Sequence, residues 1–186
     1  MLTMSGRPTR RRRRAGRRPG RYHLASRVSG STRPIYWSRA KRALAKSDAT
    51  MARIIAEHPR VALASRGDAF STLARSIVGQ QISVKAADAV WGRFCASCGE
   101  LTPKSVLRRR ATTLRSCGLS ERKVEYIRDL CDHFISGRVD PARFAGQDDE
   151  AIIAELTDIR GIGRWTAEMF LIFNLLRPNV LPLDDL

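Results

Sequence analysis

The chain has 186 residues, 43% of them hydrophobic, enough for one good-sized folded domain. Its net charge is +16 and its pI about 11.1, which points to a polyanionic partner. No run of about 18 apolar residues occurs, so no membrane-spanning helix is expected.

Residues 1–34 hold eleven arginines and no acid, leaving about +5 for the rest of the chain. Arg10 to Arg14 form one run. Such a tail cannot bury a core and is expected to be disordered. It either adds salt-sensitive, sequence-independent nucleic-acid affinity or is an incidental extension. It is Arg-rich like a transit peptide but lacks amphipathic spacing. Its twin arginines have no apolar segment behind them, so no export signal follows.

Helical periodicity begins near Ile35. Tyr36, Trp37, Ala40, Ala43 and Leu44 suggest one helix. Asp48 reads as the N-cap of a second, with Met51, Ile54 and Ile55 inward and His58-Pro59 at its end. Asp68 caps a third, whose apolar side is Phe70, Leu73, Ile77 and Val78. A short Gly-Gln-Gln-Ile-Ser segment follows, with Ser83 as N-cap for a helix from Val84 to Phe94. Taken alone, it is an ordinary polar loop between helices.

Cys95 and Cys98 have the C-x2-C spacing of metal sites, but Cys117 and Cys131 do not repeat it. No histidine pattern completes a site, so no metal is expected and the plain reading is reduced, partly buried thiols. Leu101 to Leu114 reads as one or two short helices. Cys117 to Ser120 is a turn, and Ser120 caps a helix running to Ile135. Leu119, Val124, Ile127, Leu130 and Phe134 are its apolar face. Arg122 and Lys123 lie on the charged side, open to solvent or to a polyanion. Gly137 ends that helix, and Pro141 to Gly146 form a link.

The last stretch is the most informative. Asp148, Asp149 and Glu150 open a helix, as acids suit the positive end of a helix dipole. Ile152, Ile153, Leu156 and Ile159 recur at helical spacing. Gly161 and Gly163 turn the chain, and a second helix starts near Arg164, buries Ala167, Phe170, Leu171 and Asn174, and stops at Pro178. Backbone N–H groups at the start of that helix suit an anion and read no base. From Gly-Ile-Gly alone, an ordinary helix corner is an equal reading. No alternating strand pattern stands out, so the fold class is all-α, with eight to ten helices.

The run LTDIRGIGRWTA resembles the helix-hairpin-helix of the DNA glycosylase superfamily, which ends in a Gly/Pro-rich loop and an aspartate. Leu156, Gly161, Ile162, Gly163, Thr166 and Ala167 match the pattern L-x-x-P-G-(I/V)-G-x-x-T-A. Arg160 replaces the proline, which loses turn rigidity and adds a cation. Bifunctional members carry a Schiff-base lysine immediately before the Thr-Ala pair. Here that position is Trp165, which is no amine nucleophile. The pattern therefore resembles the monofunctional DNA-3-methyladenine glycosylase II family. SIVGQQISVKAADAVW and GLSERKVEYI resemble the same family, so the likeness covers about Tyr36 to Leu186.

The resemblance implies excision of alkylated purines from double-stranded DNA by base flipping, with no lyase step and no cofactor. It puts the catalytic carboxylate at Asp185, with Asp184 as a neighbour or helix cap, and a pocket aromatic at Trp165. The DNA-binding residues it implies are Arg160, Gly161, Gly163, Arg164 and Thr166 in the hairpin. Gln81 is the wedge into the gap left by the base, with Gln80 beside it. It also implies a monomer in the bacterial cytoplasm, associated with the nucleoid through DNA. The iron–sulfur cluster of some glycosylases lies after the aspartate.

The family continues past that aspartate with at least one more helix, whereas this sequence stops one residue after Asp185. A helical domain over 35–186, incomplete at its C-terminus, is therefore expected. Two other readings compete: a non-catalytic helix-hairpin-helix DNA-binding protein, and a basic nucleic-acid or ribosome-associated protein driven by the tail.

Overall fold

The computed structural model describes residues 33–183. The basic tail falls outside the described residues except for Arg33 and Pro34, and so do Asp184 and Asp185. Nine α-helices and one short 3-10 turn make up the regular structure among the described residues, with no strand. They are α1 Trp37–Ser47, α2 Ala49–Glu57, α3 Ala69–Gly79, α4 Val84–Cys98 and α5 Pro103–Leu107. Then follow α6 Ala111–Ser116, α7 Glu121–Ser136, the 3-10 turn Phe144–Gly146, α8 Asp149–Thr157 and α9 Arg164–Phe173.

Helix starts follow local chemistry. The carboxylates of Asp48, Asp68 and Asp148 accept from the backbone N–H three residues on, at 2.7, 2.9 and 2.7 Å. The hydroxyls of Ser83 and Ser120 do the same for α4 and α7. α5 has a reciprocal box between Thr102 and Ser105, with Pro103 at its first position. Each cap satisfies an N–H that the helix leaves unpaired.

The core lies among α3, α4, α7, α8 and α9. Leu73, Ile77, Phe94, Ile127, Leu130 and Leu156 are fully buried in it. Phe70 meets Phe134 edge to face at 5.4 Å, and Phe144 meets Phe170 at 5.8 Å. α7 packs against α3, α5 and α6, and α8 pairs with α9.

Three expectations need correction. No residue of α1 or α2 is buried, and Ile54 is 42% exposed rather than inward. These helices pack on each other, so each stripe is only half covered. α4 runs on to Cys98, which puts Cys95 and Cys98 on its last turn. α9 ends at Phe173, well before Pro178. Leu176 takes a left-handed conformation there (φ +57°), and the Arg177 N–H reaches back to the Leu171 carbonyl at 2.9 Å.

All four cysteines are free, and only Cys95 is more than slightly exposed. Burial pushes the Cys131 thiol up to about 12.

Candidate nucleic-acid interface

The turn between α8 and α9 is sewn to α7. Ile159 and Ile162 face the core, and the Ile162 N–H closes onto the Ile159 carbonyl at 3.1 Å. The Arg160 N–H donates to the Asp129 carboxylate at 2.8 Å. Buried His133 bridges from α7, its Nδ1 2.8 Å from the Asp129 carbonyl and its Nε2 3.0 Å from the Asp158 carboxylate. Nothing in the sequence signals this brace, because residues 129, 133 and 158 meet only in the fold.

The two turn glycines differ in kind. Gly161 has φ +81°, and a Cβ there would sit 2.1 Å from Cδ2 of Tyr126. Its backbone form and the ring lying on it both require glycine. Gly163 is extended (φ −92°), and a Cβ there would meet nothing within 4 Å. The expectation that both glycines serve the turn therefore holds for Gly161 alone. Gly163 is the N-cap of α9 and brings no side chain of its own to cap it. Gly163 itself is exposed, and the start of a helix is the end that favours an anion.

Arg164, at the first position of α9, turns back along the hairpin. It donates to both carboxylate oxygens of Glu150, one at 2.9 Å, and to Glu168 at 3.0 Å. These pairs push the Arg164 pKa up and hold the Glu150 carboxyl below its usual range. Arg164 is thus paired with two carboxylates while about half of its side chain stays exposed. Arg160 is exposed, Thr166 is half-buried and Trp165 is 44% exposed. Trp165 is therefore no core tryptophan.

The Gly-Gln-Gln-Ile-Ser loop stands beside the hairpin. Gln81 is exposed and left-handed (φ +58°), unusual for a residue with a side chain. Gln80 points inward, its Nε2 donating to the Gly161 carbonyl at 2.7 Å. Lys123 reaches across from α7 and donates to the carbonyls of Val78 and Gln80 at 2.8 and 2.7 Å. Lys123, expected on a charged outer face open to solvent or to a polyanion, instead has its ammonium drawn to the end of α3. Burial there holds its pKa below the usual lysine range. A cleft of about 590 Å³ lies between these parts, lined by Gln80, Gln81, Arg122, Lys123, Tyr126 and Gly161.

After α9 the chain runs toward the two aspartates, and its first residues are pinned from two sides. Ser65 donates to the Asn174 carbonyl at 2.8 Å, and Tyr36 Oη to the Leu176 carbonyl at 3.0 Å. The Asn174 amide donates to the Gly67 carbonyl and the Thr72 hydroxyl at 2.8 and 2.9 Å. From the other side, Arg177 donates to the carbonyls of Phe144 and Gln147 and pairs with Asp149 at 3.4 Å.

Residues 74–169, from α3 into α9, match the family described as HhH-GPD superfamily base excision DNA repair protein. The chain belongs to that superfamily. Among curated relatives, DNA-3-methyladenine glycosylase 1 of Schizosaccharomyces pombe is 38% identical over 121 residues, covering 63% of this chain and 53% of that protein. A DNA-3-methyladenine glycosidase structure from Bacillus halodurans is 43% identical with a TM-score of 0.66, over 68% of this chain and 59% of that one. The Schizosaccharomyces pombe 3-methyladenine DNA glycosylase in complex with abasic DNA is 33% identical with a TM-score of 0.68, over 80% and 75%. The chain spans about half the length of the curated relatives it matches. The superfamily match takes in Gln80, Gln81, Lys123 and the whole hairpin turn; it stops before the loop leading to Asp185. No helix among the described residues is long and apolar enough to cross a membrane.

Proposed function

We propose that this chain is the helical domain of a base-excision repair glycosylase that hydrolyses the N-glycosidic bond of alkylated purines in double-stranded DNA. The observation that carries the reading is the cleft where the exposed, left-handed Gln81 and its neighbour Gln80 meet the hairpin turn at Gly161. The start of α9 and the half-exposed Trp165 follow that turn directly in the chain. The similarity to glycosylases of that name supports the same reading.

In this mechanism the α9 N–H groups beside Gly161 and Gly163 hold a DNA phosphate, with Arg160 and Thr166 flanking it. Gln81 fills the gap as the base leaves the stack, which holds the bent duplex open. An N-alkylated purine is already cationic. The face of Trp165 attracts it through a cation–π contact worth roughly 0.5–2 kcal/mol. The bond from C1′ to the base nitrogen then breaks, and its electron pair leaves with the base. Positive charge builds on the sugar, and the Asp185 carboxylate stabilises it, as in other glycoside cleavages. Water adds at C1′ and gives its proton to that carboxylate. Trp165 stands directly before Thr166 and Ala167 and offers no amine, so the chemistry ends at hydrolysis without a lyase step. The protein works as a monomer on nucleoid DNA in a bacterial cytoplasm.

Asp185→Asn tests the assignment. Release of methylated purine from duplex DNA is expected to disappear, while affinity for DNA carrying a cationic abasic-site mimic stays within a few-fold. Equal release by the variant refutes the role of Asp185. Binding without release by the parent chain moves the reading to a DNA-binding module.

A further inference from the structure

We infer that Lys123 is a positioning residue that locks the Gln81 loop to the hairpin turn, so that phosphate grip and base extrusion act as one rigid unit. The inference rests on the function proposed above. The last carbonyls of a helix have no partner within it and form the negative end of its dipole. α3 ends at Gly79, and Lys123 supplies the missing donor to Val78 and Gln80.

Lys123 does this without an acidic partner: no carboxylate pairs with it among the described residues. A partly buried cation is costly unless its N–H groups are satisfied, and here carbonyl oxygens satisfy two of them. A lysine that served solubility would extend into water at less cost.

The consequence falls on Gln81. A residue with a side chain holds φ +58° only where its surroundings impose it. Here they do. The carbonyl of Gln80 is gripped by Lys123, and the Gln80 amide is tied to the Gly161 carbonyl at 2.7 Å. With its predecessor fixed at both ends, Gln81 is turned outward at the rim of the cleft. Tyr126, one helical turn after Lys123, lies on Gly161 and closes the loop of contacts. α3, α7 and the hairpin turn are thus joined at one point. A phosphate seated on α9 therefore sets where Gln81 meets the base stack.

A lock of this kind matters most where a base must be pulled from a pair. Single-turnover release of a methylated purine is measured on two duplexes, one with the base paired and one with an abasic site opposite it. Lys123→Met is expected to slow release from the paired duplex about tenfold, equivalent to about 1.4 kcal/mol. The fall on the unpaired base is several-fold smaller, because that base is cheaper to extrude. The ratio is taken within one preparation, so the folded fraction cancels. Lys123→Arg, which keeps the charge and the donors, is expected to restore most of the paired rate. Gln80→Ala, which cuts only the tie to Gly161, shifts the ratio in the same direction as Lys123→Met. Equal slowing on both duplexes, or none, overturns the inference.

If the parent chain releases no base from either duplex, the proposed function fails. The lock is then read from 2-aminopurine fluorescence on binding. Brightening by the parent that Lys123→Met abolishes supports it, and no brightening by the parent overturns it.

Discussion

Gly161→Ala separates what the fold needs from what a ligand needs. Residue 161 sits at φ +81°, where a side chain costs about 1–2 kcal/mol. The new Cβ would fall 2.1, 2.5 and 2.6 Å from Cδ2, Cε2 and Cγ of Tyr126. These are ring atoms near the root of a side chain on α7, so the ring or the turn must move. Overpacking of this kind costs about 1–3 kcal/mol. Together the two effects predict a loss of about 2–5 kcal/mol in equilibrium urea unfolding, with an unchanged slope. Gly163→Ala is the control. Its backbone is extended and its Cβ position is open, so its stability is expected to stay within about 1 kcal/mol of the parent. Its DNA affinity is expected to fall if a phosphate approaches that open surface. A cycle with Tyr126→Ala isolates the clash: without the ring, Gly161→Ala costs about 1–3 kcal/mol less. A loss below about 1 kcal/mol, or equal losses on both backgrounds, would refute this account of the turn.

Arg177→Met strips donors from the carbonyls of Phe144 and Gln147 and leaves Asp149 unpaired. It should cost about 2–4 kcal/mol in denaturant unfolding, and slow base release more than it weakens DNA binding. With its thiol near 12, Cys131 is roughly one part in ten thousand thiolate at pH 8. Half-buried Cys95 should therefore react with a disulfide reagent in the native protein, and Cys131 only on unfolding; early labelling of Cys131 would contradict its burial. Glu150 has its pKa lowered by Arg164. The pair's contribution to stability is therefore present above the ordinary carboxylate range and lost as pH falls through the lowered value. The stability gap between the parent and Glu150→Gln should accordingly shrink on acidification, and a gap that widens would reverse the assignment.

Much of the local structure was legible in the chain. Asp48, Asp68, Ser83 and Ser120 cap the helices where their side chains put them, because a cap bonds an N–H only two or three residues away. Asp148, read as part of an acidic first turn, is the N-cap of α8. The all-α class and the α8–turn–α9 hairpin followed from apolar spacing and the glycine pair. The stripe containing Ile54 was visible too, but a stripe does not say whether a partner covers it.

The site divides along the same line. Its motifs, Gly-Gln-Gln-Ile-Ser and Gly-Ile-Gly-Arg-Trp-Thr-Ala, are contiguous and readable as residues that turn, cap or expose a side chain. Their division of labour is not. Gly161 and Gly163 look alike in sequence, yet only Gly161 lies under the Tyr126 ring. Gln80 and Gln81 are adjacent, yet one is spent on the Gly161 carbonyl and the other faces out. Lys123 and Arg164 look like surface cations free of partners, yet each is already paired: Lys123 with the carbonyls ending α3, and Arg164 with Glu150 and Glu168. The sequence by itself determined the helices, their caps and the position of the turn, because those depend on bonds between near neighbours. Only the tertiary structure decided which charges and amides are already occupied and which still face outward, because most of their partners, all but Glu168, lie 14 to 81 residues away and meet only when the helices pack together.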